Sequence, residues 1–100
     1  MYATVRRYEG VTDPSEVARI VNEGFLPIIR EIPGFVDYYF ADAGDGVMIS
    51  TSIFEDSSGE EESNWRAGQF VGQHLTPLLP NAPQITAGEV VAHNKSYKAS

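Results

Sequence analysis

The segment that decides the fold reads FVDYYFADAGDGVMISTSIFE and spans residues 35–55. Its two halves are rich in aromatic and β-branched residues, which is the composition of β-strands. Between them lies Asp42-Ala43-Gly44-Asp45-Gly46, a run of residues of the kind that joins antiparallel strands in a hairpin. The segment therefore predicts two paired strands, over residues 35–41 and 47–55.

The residues before this hairpin predict one strand and one helix. Residues 2–9 alternate loosely and are rich in β-forming side chains. Asp13-Pro14 then begins a helix, because aspartate accepts from free backbone amides and proline fits the first helical position. Apolar residues at steps of three and four continue as far as Ile32. Pro27 lies inside this stripe and predicts a kink or break near residues 24–27, because proline removes a backbone donor.

The residues after the hairpin predict a second helix and a last strand. Ser57 and Ser58 offer two overlapping caps, and acidic residues follow in the first turn, where the helix dipole favours them. The helix runs over residues 59–79 and ends before Pro80. Residues 85–93 form the last strand.

The order of these elements is β-α-β-β-α-β. This order predicts an α+β, ferredoxin-like fold, in which a four-stranded antiparallel sheet carries two helices on one face. At 100 residues the chain has the size of one domain, predicted over residues 1–94, with a flexible C-terminal tail over residues 95–100.

The composition favours some classes of partner and excludes others. The chain has no cysteine, so disulfides and thiolate sites are excluded. A net charge of −7 argues against nucleic acid and anionic membranes as partners, because those need clustered Lys and Arg. We find no signal-peptide pattern and no apolar run near the roughly 20 residues that span a bilayer. We therefore expect a cytoplasmic protein.

Both faces of the predicted sheet carry large apolar side chains. In the second hairpin strand, Met48 and Phe54 point opposite to Val47, Ile49 and Ile53. One chain supplies enough helix to cover only one face, so we expect the other face to pack against a second copy of the chain in a homodimer. The alternative is a monomer with one semi-polar face that carries some aromatic residues.

Several stretches of the chain together resemble a known group of proteins. They are the start Tyr2–Tyr8, the block Phe25–Phe35, the segment Tyr38–Glu55 with its glycine-rich turn, and the closing pattern Ala87–Val91. In these stretches the chain resembles the antibiotic-biosynthesis-monooxygenase-like group of the dimeric α/β-barrel superfamily. The likeness spans nearly the whole chain, as a pattern of helix, proline-glycine and hairpin.

The resemblance implies a fold, an assembly and a range of activities. Proteins of this superfamily include cofactor-free oxygenases that act on polyketide-type aromatics, haem-degrading enzymes and members without a known reaction. Their pocket lies within each protomer, between helices and sheet. The oxygenases use Asn, Trp and Tyr side chains, and the haem degraders use Asn, Trp and His. When these side-chain types are carried over to this chain, the resemblance implies a candidate site of Tyr39, Asn64, Trp65 and His74. It also implies a small aromatic ligand and no cofactor.

Helix geometry limits this candidate site. Trp65 and His74 are nine positions apart, so at about 100° per residue they point in opposite directions from a regular helix. They could meet only if Trp65 precedes the regular helix or if Gly68 bends it. Otherwise Trp65 is a packing or interface residue beside Gly68 and Gly72, and His74 is a helix-edge residue hydrogen-bonded to a loop.

Arg6 and Arg7 occupy adjacent positions of the first strand and so point to opposite faces. One of them must point inward or towards a partner. An inward arginine needs an acid, and we expect Asp37 or Glu89, because an unpaired buried charge is very costly. It could instead hold an anionic ligand.

Two hypotheses for function remain open on the sequence. The first is a cofactor-independent monooxygenase acting on a small, electron-rich aromatic such as a polyketide or quinol. The second is a non-catalytic dimeric module that binds a small molecule or another protein. A pocket of at least about 300 Å³ with convergent polar groups would favour the first, and a filled core the second.

Overall fold

The computed structural model describes residues 1–95, which form one antiparallel sheet and a layer of helices. The strands of the sheet are β1 (Tyr2–Tyr8), β2 (Phe35–Gly44), β3 (Val47–Phe54) and β4 (Gln84–Glu89). Their order across the sheet is β2-β3-β1-β4, and each neighbouring pair is antiparallel. This order, with both helical segments on one face, confirms the predicted ferredoxin-like α+β fold.

The β2–β3 hairpin closes through a two-residue loop. Asp45 has φ 54° and Gly46 has φ 76°, and this pair of left-handed residues matches the twist of the flanking strands. The Asp42 side chain accepts a hydrogen bond of 2.9 Å from the Gly44 amide. The predicted hairpin is confirmed, but its loop is shorter than the predicted run of residues 42–46, because β2 continues to Gly44.

The first helical segment is interrupted where proline predicted a break. Helix α1 (Pro14–Ile20) is followed by a π-helical turn (Val21–Phe25) and a short helix α2 (Leu26–Ile29). The Asp13 side chain caps α1 by accepting from the Glu16 amide at 3.2 Å. Pro27 has no amide to donate back into the preceding turn, which fits the irregularity before it.

The second helical segment differs from its predicted form. Helix α3 (Ser57–Phe70) begins two residues earlier than predicted, and Asp56 caps it by accepting from the Gly59 amide at 3.0 Å. A second π-helical turn (Val71–Leu75) follows α3, where a regular helix had been predicted as far as residue 79. Strand β4 ends at Glu89, short of the predicted residue 93.

The inner face of the sheet packs against the helices and forms the core. In β3 every second residue is buried, from Met48 to Phe54, as a half-covered strand requires. The buried apolar residues are Tyr8, Val11, Val17, Val21, Phe25, Ile29, Ile32, Met48, Phe54, Ala67, Phe70, Leu75 and Leu79.

The outer face of the sheet is not covered by any described part of the chain. Val5, Thr51 and Tyr39 lie side by side across it in register, and Val5 and Tyr39 are exposed. Ile49 and Ile53 are only half-buried there. The predicted opposition of Met48 and Phe54 to these side chains is confirmed.

Two further expectations concern the chain as a whole. Within residues 1–95, no helix is long and apolar enough to cross a membrane. The predicted tail over residues 95–100 lies, from residue 96 onward, outside the described residues.

Candidate functional site

The site begins with a buried arginine on the inner face of β1. Alternation along the strand points Arg6 at the helices, where it is 7% exposed, and points Arg7 at solvent, where it pairs with Glu9 at 2.8 Å. The Arg6 Nη2 donates to two oxygens of Asn64, the side-chain Oδ1 at 2.5 Å and the backbone carbonyl at 3.3 Å. A cation is thus fixed between sheet and helix α3.

A buried carboxylate lies one helical turn before this asparagine. Glu60 is 6% exposed, and its Oε1 accepts from Thr4 Oγ1 at 2.7 Å and from Asn64 Nδ2. Residues 60 and 64 are neighbours on one helix face because they are four positions apart. The amide of Asn64 therefore faces a donor on one side and an acceptor on the other, which fixes its orientation.

Asn64 separates the two buried charges. Within residues 1–95, no carboxylate lies within the 4.0 Å of an ion pair to Arg6. The predicted pairing with Asp37 or Glu89 is wrong: Asp37 lies in register with Ile53 on the outer face, and Glu89 lies exposed on the edge strand. Arg6 is held by a neutral amide, so its charge can still be matched by an anionic ligand.

A small cavity lies beside Arg6, between the sheet and the helices. Its volume is about 30 Å³, which is about the volume that one molecule occupies in liquid water. Its wall combines polar side chains with aromatic and aliphatic ones. The polar residues are Arg6, Tyr8, Tyr38, Ser50, Ser52 and Ser63, and the apolar ones are Val21, Phe25, Phe40, Ala67, Phe70, Val71, Leu75 and Leu79.

Tyr38 supplies a neutral hydroxyl to this cavity. Burial, and then the neighbouring Tyr8, raise the pKa of the Tyr38 phenol well above its usual value. The Ser50 hydroxyl and the Arg6 charge oppose this increase without reversing it. The phenol is protonated at neutral pH and can donate a hydrogen bond to a ligand oxygen. Its ring also packs edge-on against Phe25, at 5.7 Å between centroids.

Of the four site residues predicted from the sequence, only Asn64 belongs to this network. Tyr39 is 60% exposed on the outer face, in register with Thr51. Trp65 is 60% exposed on α3. The single chain therefore does not bring Asn64, Trp65 and Tyr39 to one cavity.

His74 lies in the second π-helical turn and packs against Phe70 with its ring tilted by 43°, at 4.8 Å between ring centroids. The predicted hydrogen bond from His74 to a loop is not formed within the part of the chain that the structure describes. His74 instead borders a surface groove of about 430 Å³ between the two helical segments. We call this the inter-helix groove.

Sequence reasoning missed Tyr38 and Glu60 as site residues. The alternation of side chains along β1 predicted that one of its two arginines faces inward. Nothing in the sequence marked Glu60 as the buried member of the run Glu60-Glu61-Glu62. No group of three His, Cys, Asp or Glu side chains that could hold a metal ion occurs among the described residues.

Comparison with known proteins shows similarity in the fold only. No protein-family model and no curated protein matches the chain. A protein of unknown function from Nitrosomonas europaea has a similar structure, with a TM-score of 0.73 and 19% identity, over 97% of this chain and 95% of that chain.

Two oxygenase structures are also similar. A monooxygenase from Streptomyces coelicolor, in complex with the ligand nanaomycin D, has a TM-score of 0.73 and 17% identity, over 95% of this chain and 91% of that chain. SnoaB, a cofactor-independent oxygenase from Streptomyces nogalater, has a TM-score of 0.64 and 17% identity, over 97% of each chain. The chain has the ferredoxin-like fold of the antibiotic biosynthesis monooxygenases, as the resemblance in sequence predicted.

Proposed function

We propose that this protein binds a small aromatic molecule with an anionic oxygen in the cavity beside Arg6, and oxidises it as a cofactor-independent monooxygenase. The observation that carries the proposal is the buried Arg6 guanidinium, which is held by a neutral amide and faces a cavity walled by aromatic rings. The similarity in fold to two oxygenases supports the same class of reaction.

The side chains of the cavity match the charge that such a ligand carries. Arg6 favours the ionised form of a bound phenol or enol, because an opposite charge nearby lowers the pKa of an acid. The protonated Tyr38 hydroxyl donates to the same oxygen. The rings of Phe25 and Phe70 provide the faces and edges against which a planar ligand packs.

The reaction needs only the ligand and molecular oxygen. The phenol loses its proton to solvent on binding, and its charge spreads to the ring carbon opposite the oxygen. That carbon passes two electrons to O₂ and forms a carbon–oxygen bond, and the resulting peroxide takes up a proton from water. Loss of water then leaves a quinone carbonyl, so phenol and O₂ give quinone and water. The protein contributes a dry, preorganised charge environment.

We expect Arg6→Met to weaken binding of 2-hydroxy-1,4-naphthoquinone, an anionic probe, by about 10- to 100-fold, because a charge-assisted hydrogen bond is lost. Calorimetric titration measures this affinity. Oxygen consumption with 1,5-dihydroxynaphthalene, which would give 5-hydroxy-1,4-naphthoquinone and water, measures the reaction.

Two matched variants control the experiment. Arg7→Met removes the same charge from the exposed side of β1 and should leave both measurements unchanged. Arg6→Lys should retain part of the affinity. Wild-type protein that binds no naphthoquinone, or an effect of Arg7→Met equal to that of Arg6→Met, would contradict the proposal.

A second candidate function is a non-catalytic dimeric module that binds a small molecule or another protein. The cavity volume of about 30 Å³ favours the protein-binding form of this candidate, because sites that enclose a small molecule usually have about 300–1,000 Å³. The exposure of Tyr39 and Trp65, neither of which borders the cavity, favours this candidate too. Binding of the naphthoquinone without oxygen consumption would support this candidate over the enzyme.

We also propose that the protein is a homodimer that buries the outer face of its sheet. That face presents the exposed apolar side chains Val5 and Tyr39 beside half-buried Ile49 and Ile53. Contiguous apolar surface of this kind is characteristic of subunit interfaces. In a two-fold symmetric dimer, the same face of a second copy of the chain covers it.

Thr51→Lys should weaken the dimer by about 100-fold or more, because Thr51 lies between Val5 and Tyr39 and a lysine there would be buried without a partner. Thr12→Lys makes the same change at an exposed loop position and should have no effect. Sedimentation equilibrium measures both. A wild-type protein that is monomeric at micromolar concentration would overturn this assembly.

A further inference from the structure

Phe70 separates two spaces of very different size. The inter-helix groove has a volume of about 430 Å³, whereas the cavity beside Arg6 has about 30 Å³ and is somewhat more enclosed. Among the described residues, Phe70 is common to the walls of both. The other residues that border the groove are Arg19, Ile20, Glu23, Gly24, Ile28, Arg66, Gln69, Gln73 and His74.

The backbone on both sides of this ring is irregular. The first π-helical turn ends at Phe25, and the second begins at Val71, directly after Phe70. Both Phe25 and Val71 border the interior cavity. A π-helical turn departs from the regular hydrogen-bond pattern of the helix, and such turns are frequent at functional sites. The two turns therefore place the two irregular stretches of the helical layer around one aromatic ring.

The ring fits tightly against the first π-helical turn. A Cβ atom added at Gly24 would lie 2.8 Å from both Cε1 and Cζ of Phe70. Phe70 also contacts Phe25 on one side and His74 on the other, with centroid distances of 5.5 Å and 4.8 Å. In this position the ring forms the wall that groove and cavity share, and the absence of a side chain at Gly24 leaves room for it.

We propose that Phe70 is the gate of the ligand site, and that ligands enter from the inter-helix groove. This inference rests on the proposed function. Rotation of the Phe70 side chain joins the groove to the interior cavity and produces a pocket in the size range of small-molecule sites, about 300–1,000 Å³. The anionic oxygen then reaches Arg6, and the remainder of the ligand lies in the groove.

The groove also determines which ligands fit. Gln69, Gln73 and His74 border it and offer amide and imidazole groups to hydroxyl or carbonyl substituents. Ligands should therefore be planar aromatics of two or more rings that carry oxygen substituents at the end away from the anionic oxygen. A single small ring would gain little from the groove.

Stopped-flow measurement of the association rate of 2-hydroxy-1,4-naphthoquinone tests the gate. Phe70→Ala removes the barrier, so we expect the association rate constant to rise by at least about tenfold, since the open state becomes the main one. Phe70→Trp fills the passage and should slow association. Phe70→Leu provides an intermediate variant with a smaller loss of core packing.

Two controls isolate gating from loosening of the fold. Phe35→Ala makes the same deletion at a half-buried position, and Ile32→Ala removes a buried aliphatic side chain; neither residue borders the groove or the cavity. Both should leave the association rate within about twofold of wild type. The gate is overturned, and the ligand site stands, if the wild-type protein binds and the Phe70 variants associate at its rate. The gate is likewise overturned if Phe35→Ala accelerates association as much as Phe70→Ala. If neither the wild type nor Phe70→Ala binds the probe, the proposed function fails and the gate fails with it.

Discussion

Replacing Phe54 by alanine is expected to lower the free energy of unfolding by about 3–5 kcal/mol, the usual cost of deleting a buried phenylalanine ring. Phe54 is 0% exposed at the end of β3. Its ring packs against Phe35 at 5.7 Å between centroids. A Cβ atom added at Gly59 would lie 2.7 Å from Phe54 Cδ1 and 2.9 Å from the Pro33 carbonyl, so helix α3 begins in direct contact with this ring. Little can move to fill the cavity that alanine would leave.

Urea denaturation followed by circular dichroism measures this loss. A decrease of this size is a large part of the roughly 5–15 kcal/mol by which a domain is stable. Phe35→Ala is the matched control, because it removes the same ring from a half-buried position in contact with Phe54 and should cost clearly less. Equal losses for the two variants would contradict the central place of Phe54 in the core.

The strands could be read from the sequence because their signals are local. The Asp45-Gly46 loop requires two left-handed residues, and the sequence supplies residues that tolerate them. The alternation from Met48 to Phe54 shows which side chains of β3 share a face. These features, together with the order of the helices and strands, were enough to predict the four-stranded sheet.

The face of each β2 residue could not be read in the same way. The pairing of β2 with β3 shifts between Phe35 and Asp37, which leaves Val36 as an extra residue. A shift of one residue exchanges the two faces of a strand. Tyr38 therefore points into the cavity and Tyr39 outward, where the sequence analysis had selected Tyr39. Alternation alone did not distinguish them in a run of three aromatic residues.

The helical site residues were uncertain for a different reason. A constant turn of about 100° per residue would place Trp65 and His74 on opposite sides of one regular helix. In the π-helical turn from Val71 to Leu75, each backbone amide bonds a carbonyl one residue further back than in an α-helix. The direction of the side chains around the helix axis therefore changes before residue 74. No proline lies within α3 or this turn to indicate the change.

Asn64→Leu is expected to lower the free energy of unfolding by about 2–4 kcal/mol, because it removes a partner from both buried charges at once. Arg6 would lose its side-chain acceptor, and Glu60 would keep only the hydroxyl of Thr4. Leucine has the same number and branching of side-chain heavy atoms as asparagine, so the substitution leaves no cavity and the loss would come from unmatched charge. Urea denaturation measures it, with Asn22→Leu as the control: Asn22 is exposed on the first helical segment, and its side chain donates only to the Ala18 carbonyl.

Replacing the whole network separates charge from packing. In an Asn64→Leu background, Arg6→Met and Glu60→Leu together remove both unmatched charges, and replacing buried ions by apolar groups of similar volume is often neutral or stabilising. We therefore expect the triple variant to regain stability relative to Asn64→Leu while failing to bind the naphthoquinone. A loss for Asn64→Leu no larger than the roughly 0.5 kcal/mol of an ordinary surface substitution such as Asn22→Leu would show that Asn64 does not hold the two charges. Recovery of stability without recovery of binding would instead show that the charged network is maintained for the ligand, since the fold is as stable without it.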